Sequence, residues 1–246
     1  MSLFEAGTHR GNKKSRLNPK LKTKIYGVSG GISLINLAET KNSIEIASEL
    51  MYKLGQKKKQ ILVVGTSKHI KEFTPELSRL FSGPEMPYIN NRWLGGTLTN
   101  WSTIKKTLKS LEKLENIESN KEFFGRLARN EQLNVVRKKE KINRFFAGLV
   151  NLKSNKPGAI LVLDAANNPI AIQEADCMNI PVITLTNTNT LTLPENLNYT
   201  VVCNVNSINT IKLITSTLIE SYNDGLVTGI PQPTEVKTNE TVTVTA

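Results

Sequence analysis

Tyr88-Ile89-Asn90-Asn91-Arg92-Trp93-Leu94-Gly95-Gly96-Thr97-Leu98-Thr99-Asn100-Trp101 contains both tryptophans of the chain. A short apolar run precedes it and a long, basic, helix-patterned run follows, so it reads as a junction between two architectures. Gly95-Gly96 lets the backbone turn through positive φ or approach a neighbour closely. Arg92 offers a planar fork of donors for phosphate or carboxylate. Left unpaired in a core, that cation would be costly. Trp93 and Trp101 bring large apolar area with one N–H donor each. Both fit a strand-to-helix turn whose indoles fill the core, and a direct contact with a ligand is the other reading.

Upstream, Gln60-Ile61-Leu62-Val63-Val64-Gly65 is a continuous apolar run, as in a strand covered on both faces. Ile32 to Leu37 reads as a strand before it, and residues 40–54 carry Ile44, Ala47, Leu50, Met51 and Leu54 at helical spacing. Ile70, Phe73, Leu77, Leu80 and Phe81 mark another helix, capped by Thr66 or Ser67. Thr74-Pro75 predicts a kink there or a restart with Pro75 at the first position. Downstream, Trp101, Ile104, Leu108 and Leu111 share one face, with Leu114 one position off it. Ala128, Val135, Ile142 and Leu149 recur at seven-residue intervals. Two such segments joined by a break at Ser119-Asn120 predict a coiled-coil hairpin over residues 101–156. Two ordinary packed helices are the alternative.

After Pro157 the composition changes. Ala159 to Leu163 is an apolar strand ending at Asp164. Asn168-Pro169 starts a helix with Ile172, Ala175 and Met178 inward. Ile180 to Leu185 and Tyr199 to Cys203 are two more strands. Ser207 caps a last helix with Ile208, Ile211, Leu218 and Tyr222. Strands alternating with helices give an α/β fold, an open doubly wound parallel sheet interrupted by the helical hairpin. The expected organisation is a basic arm over 1–31, an α/β domain from 32–100 and 157–224, the hairpin between, and a disordered tail over 225–246. Cys177 and Cys203 sit in apolar runs as buried thiols rather than a disulfide or metal pair. No zinc spacing occurs, and no metal or cofactor is expected.

The net charge of +11 is unevenly placed. Residues 1–24 carry +6, residues 25–100 +3, residues 101–156 +8 and residues 157–246 −6. This polarity points to one surface facing a polyanion. Nucleic acid is favoured over acidic membrane, because the basic N-terminal segment lacks a strong amphipathic helix. Arg10, Lys13, Lys14, Arg16, Lys20, Lys22 and Lys24 form an irregular arm, broken by Pro19 and glycines. Leu17, Leu21, Ile25 and Tyr26 are spaced among the cations as if one side docks. The arm is expected to be partly mobile until its polyanionic partner orders it. Asn91, Arg92 and Asn100 in the junction, with Lys105, Lys106 and Lys109 just beyond it, complete the expected nucleic-acid-binding set, which the family resemblance below makes RNA-binding. Such cations bind phosphate and position the protein without reading sequence.

The run Arg92 to Trp101 resembles the signature of the small-subunit ribosomal protein S-two family, bacterial and organellar type, whose members carry Arg-Trp-Leu-Gly-Gly-x-Leu-Thr-Asn-Trp. The resemblance extends from about Leu3 to Tyr222. It includes Asn18-Pro19-Lys20-Leu21, Val64-Gly65-Thr66, Ile170-Ala171-Ile172-Gln173-Glu174-Ala175, Ile180-Pro181-Val182 and Thr186-Asn187-Thr188-Asn189. Asn12 stands where the family has a second histidine, and Ala166, Asn167 and Asn168 stand where it often has acids or a histidine. The resemblance implies a non-enzymatic structural constituent of the small ribosomal subunit that acts in translation. Its implied partners are ribosomal RNA and other ribosomal proteins, among them ribosomal protein S-one. DNA and membrane are not expected partners. The implied place is a bacterial cytoplasmic ribosome, or else an organellar one.

The runner-up is a cofactor-binding α/β enzyme with an incidental basic surface. Neither Val64-Gly65-Thr66-Ser67 nor Gly27-Val28-Ser29-Gly30-Gly31 has the pattern of a dinucleotide or phosphate loop. Asp164 ends a strand without a neighbouring base, and reads as the cap of the following turn.

Overall fold

A computed structural model of the chain describes residues 2–229 except 84, 85, 192, 195 and 196, and the side chains of 121, 122 and 197 lie outside the description. The tail beyond residue 229 is outside it too. The chain begins with β1 (Arg10–Lys13), β2 (Ile25–Ser29) and β3 (Ile32–Ile35). These form a small antiparallel sheet in the order β1-β3-β2. There follow α1 (Leu37–Gln56), β4 (Ile61–Val64), α2 (Phe73–Leu80), β5 (Tyr88–Ile89), α3 (Trp101–Ser119), α4 (Lys121–Arg126) and α5 (Arg129–Phe146). The second half supplies β6 (Ala159–Val162), α6 (Pro169–Cys177), β7 (Val182–Thr186), β8 (Thr200–Val202) and α7 (Ile208–Thr228).

The main sheet has five parallel strands in the order β5-β4-β6-β7-β8. Alternation of side chains along each strand divides its apolar residues between two cores. Ile61, Val63, Leu161, Ile183, Leu185 and Val201 face one side, where Met51 of α1, Leu77 of α2 and Ile214, Leu218 and Tyr222 of α7 cover them. Leu62, Val64, Ile160, Val162 and Val182 face the other, under Ala171, Ile172 and Ala175 of α6 and Trp93. Helices on both faces make the doubly wound α/β architecture that continuous apolar strands require. On the first face α1 and α7 are in close contact. A Cβ on Gly55 would meet the Tyr222 carbonyl, and one on Gly225 the Tyr52 carbonyl.

Several expectations are corrected. Residues 1–31 are not irregular, and β3 is not part of the parallel sheet. Gly30 and Gly31, at φ +55° and +77°, form a two-residue hairpin turn between β2 and β3, since two consecutive positive φ values match strand twist there. The arm is also tied to the domain. The Asn12 N–H donates to Thr188 Oγ1 at 2.9 Å, Asn18 donates to the carbonyls of Thr188 and Thr190, and the Ala6 carbonyl accepts from Ser207 and Thr210 hydroxyls. Of the apolar residues expected to dock, Leu21 is buried against Ile35 and Val202, whereas Tyr26 is exposed.

Helix α2 starts at Phe73, so Pro75 stands inside its first turn rather than at its first position. Ser67 does not cap it, because its hydroxyl donates to Asp164. Leu80 is exposed, as is Cys177, and only Cys203 is a buried thiol. Burial pushes that thiol up to about 12. Helix α7 runs to Thr228, past the expected start of the tail.

Helices α3 and α5 pack on each other, with Leu111 buried between them and Lys139 Nζ on Glu118 Oε2 at 2.5 Å. Leu114 is half-buried, while Ala128 is exposed and precedes α5. Leu149 and Leu152, beyond α5, are buried in the second core beneath Leu108 and Phe146.

Candidate nucleic-acid interface

The junction is built around a buried carboxylate. Gly96 takes φ +87°, and only there does the Gly95-Gly96 pair need a glycine. That turn aims the backbone N–H groups of Gly96, Leu98 and Thr99 at Glu174 on α6. Gly96 N donates to Oε1 at 2.7 Å, and Leu98 N and Thr99 N to Oε2 at 3.0 and 3.3 Å. Trp93 Nε1 donates to Oε1 at 3.0 Å, and the Thr99 hydroxyl to Oε2 at 3.3 Å. Glu174 is 8% exposed. Burial pushes its pKa up, but the bonds from Trp93, Gly96, Leu98 and Thr99 together outweigh this and hold it below the usual carboxylate value. The indole of Trp93 is therefore core with its N–H satisfied, as one of the two readings held. Trp101 is half-buried at the start of α3.

With Glu174 anchoring the loop, Arg92 projects outward and is exposed. Asn91 is half-buried, and its amide donates to the Arg144 carbonyl, tying the junction to the end of α5. Asn100 is exposed, its side-chain oxygen accepting from the Thr103 hydroxyl at 2.9 Å at the start of α3. Both asparagines thus have structural partners. Lys105, Lys106 and Lys109 are exposed on α3.

On the arm, Arg10, Lys13, Lys14, Arg16, Lys20 and Lys22 are exposed. Lys24 is half-buried and pairs with Glu39 at 2.9 Å. Among the described residues it is the one arm cation with a carboxylate partner. The others stand on a backbone fixed by β1, the hairpin and the Thr188 contacts.

Sequence reading missed three features. Glu174 was legible as an acid on the apolar face of α6, three positions from Ala171. Arg137, Lys141 and Arg144 line a depression of about 210 Å³ on α5 with Glu140, and their spacing of four and three already placed them on one helical face. Lys68 shares with Arg92 a cavity of about 610 Å³ at the carboxyl ends of β4, β5 and β6. Asp164 lies close by as the expected cap, accepting from Ala166 N at 3.1 Å.

These features define a class: a doubly wound α/β domain whose N-terminal extension and inserted helices carry exposed, unpaired cations. The model of the family described as ribosomal protein S2 matches residues 3–225. The chain belongs to that family. It is 36% identical over 224 residues to small ribosomal subunit protein uS2 of Chloroflexus aggregans, covering 91% of each chain. It is 35% identical to the protein of the same name in Amoebophilus asiaticus, covering 91% of this chain and 69% of that one. With the Rickettsia felis protein, also named uS2, the identity is 36% over 91% of this chain and 74% of its relative.

Proposed function

We propose that this protein is a structural constituent of the small ribosomal subunit, binding ribosomal RNA and neighbouring ribosomal proteins in translation. Membership of the ribosomal protein S2 family over residues 3–225 carries this reading. The enzyme alternative has no support from that family.

The RNA contacts are assigned to Arg10, Lys13, Lys14, Arg16, Lys20, Lys22 and Lys24 on the arm, Arg92 with Asn91 and Asn100 at the junction, and Lys105, Lys106 and Lys109 on α3. Exposure and lack of carboxylate partners favour the cations other than Lys24. In this reading the arm (1–31) and the hairpin (101–156) are RNA-facing modules on the α/β domain, and the acidic C-terminal half of that domain faces solvent or protein. Ribosomal protein S-one is a proposed neighbour where it exists. The proposed place is a bacterial cytoplasmic ribosome, in keeping with the bacterial relatives.

The test is sedimentation of the tagged protein from its own cells. It is expected in the small-subunit fraction, released as salt rises. A tagged, complementing protein that stays at the top of the gradient would overturn the reading.

A further inference from the structure

Winding of the main sheet reverses between β4 and β6. The chain leaves β4 outward to β5, then crosses back to lay β6 on the other side of β4. At such a point the loops depart in opposite directions and open a crevice at the carboxyl ends of the strands. Here the crevice is the cavity of about 610 Å³ lined by residues 66–69, 91–93 and 167–170. That volume lies within the ordinary range of small-molecule sites, roughly 300–1,000 Å³.

The floor of the crevice is fixed by bonds that join the loop after β4 to the loop after β6. Thr66 Oγ1 donates to Asn168 Oδ1 at 2.9 Å, the Ser67 hydroxyl donates to Asp164, and Asn167 Nδ2 donates to Ser67 Oγ at 2.8 Å and Asp164 Oδ2 at 2.5 Å. Asp164 is buried, has both oxygens engaged and does not line the crevice. The walls carry two cations, Lys68 and Arg92, both exposed and without a carboxylate partner among the described residues. They also carry apolar surface from Pro169 and Ile170, with the buried Trp93 beneath them. Cations without counter-charge select an anion, and a guanidinium fork suits phosphate. The apolar surface of Pro169 and Ile170 beside them suits contact with an unstacked base.

We propose that this crevice binds a nucleoside monophosphate group, with the phosphate on Arg92 and Lys68 and the base against Pro169 and Ile170, close above the buried Trp93. The group is either a free nucleotide or one nucleotide unstacked from an RNA chain. In its RNA-chain form the site rests on and deepens the proposed function, which already assigns Arg92 to RNA; in its free-nucleotide form it stands apart from that function.

The experiment uses the full chain carrying Trp101→Phe, so that fluorescence reports Trp93. Adenosine monophosphate, uridine monophosphate, adenosine, inorganic phosphate and a single-stranded RNA pentanucleotide are titrated separately. A saturable response to the monophosphates is expected, weaker for adenosine and for phosphate alone. Arg92→Gln should weaken it about tenfold, the loss of one charge-assisted contact. Ile170→Glu, an exposed change in the first turn of α6, should abolish it while leaving the melting temperature unchanged. Tighter binding of the pentanucleotide assigns the site to an RNA chain, and equal or weaker binding assigns it to a free nucleotide. No saturable response in the millimolar range would overturn the proposal, as would a response that both variants leave intact. Phosphate binding as tightly as the nucleotides would overturn its nucleoside part. In each of these failures, retained ribosomal RNA binding would leave the proposed function standing.

Discussion

Glu174 is one carboxylate accepting from five donors, of which three are backbone N–H groups in a single turn. Glu174→Gln should cost roughly 2–4 kcal/mol, because an amide nitrogen faces donors and buried N–H groups lose their acceptor. Chemical denaturation with a matched slope checks this. The effect carries a pH signature. The folded pKa lies below the ordinary value of 4.5, so the stabilisation is fully present above the unfolded-state value. It is lost as pH falls through the folded one. The stability gap between wild type and Glu174→Gln should therefore be constant above about pH 5.5 and narrow below 4.5. A gap independent of pH would assign the carboxylate no ionised role. Arg92 should behave oppositely: Arg92→Ala is expected to leave the melting temperature within about 1 °C, being exposed and unpaired.

Two elements join the α/β domain in different ways. The packed helices α3 and α5 are rooted in its second core through Leu108, Phe146, Leu149 and Leu152. Replacing residues 109–145 with a Gly-Ser linker of about four residues, enough to span the ~10 Å between packed helices, should leave a soluble domain with native-like near-ultraviolet dichroism. Replacing 105–152 also removes Leu149 and Leu152 of that core, with Leu108 and Phe146, and should give an aggregating protein. Equal behaviour of both deletions would mean that this root contributes little. The arm is held chiefly by polar bonds to the loop after β7. Thr188→Val removes the acceptor of the Asn12 N–H without changing volume much. It should raise tryptic cleavage within residues 10–24 several-fold, because local opening becomes easier. Wild-type free protein should resist there, in contrast to a mobile arm.

At the scale of the whole molecule, charge rather than shape separates its parts. Residues 1–24 carry +6 and residues 157–246 carry −6. Changing Lys13, Lys14, Arg16 and Lys20 to Gln should make the log–log salt dependence of ribosomal RNA binding shallower by about 3–4, at roughly 0.9 per released counterion on a duplex. Filter binding between low and moderate salt measures that slope. An unchanged slope would remove the arm from the interface and leave the helices and Arg92 as its cations.

The apolar runs Ile61 to Val64, Ala159 to Val162 and Val182 to Leu185 determined by themselves that the sheet is parallel and covered on both faces. Continuous burial admits no polar alternation, and this is a local property of each segment. The uneven charge pointed to a polyanionic partner in the same way, since cations need no tertiary information to be counted. What the tertiary structure alone decided involves pairs far apart in the chain. Ile32 to Ile35 carries a strand pattern, but Gly30-Gly31 turns it back on β2, so it joins a second sheet. The arm is held by Thr188 and Thr190, more than 170 positions away. Glu174 and the Trp93–Thr99 loop are separated by about 80 positions, and neither segment alone shows where its hydrogen-bonding groups end. Local sequence fixes periodicity and charge, while satisfaction of buried polar groups depends on which distant segment supplies the partner.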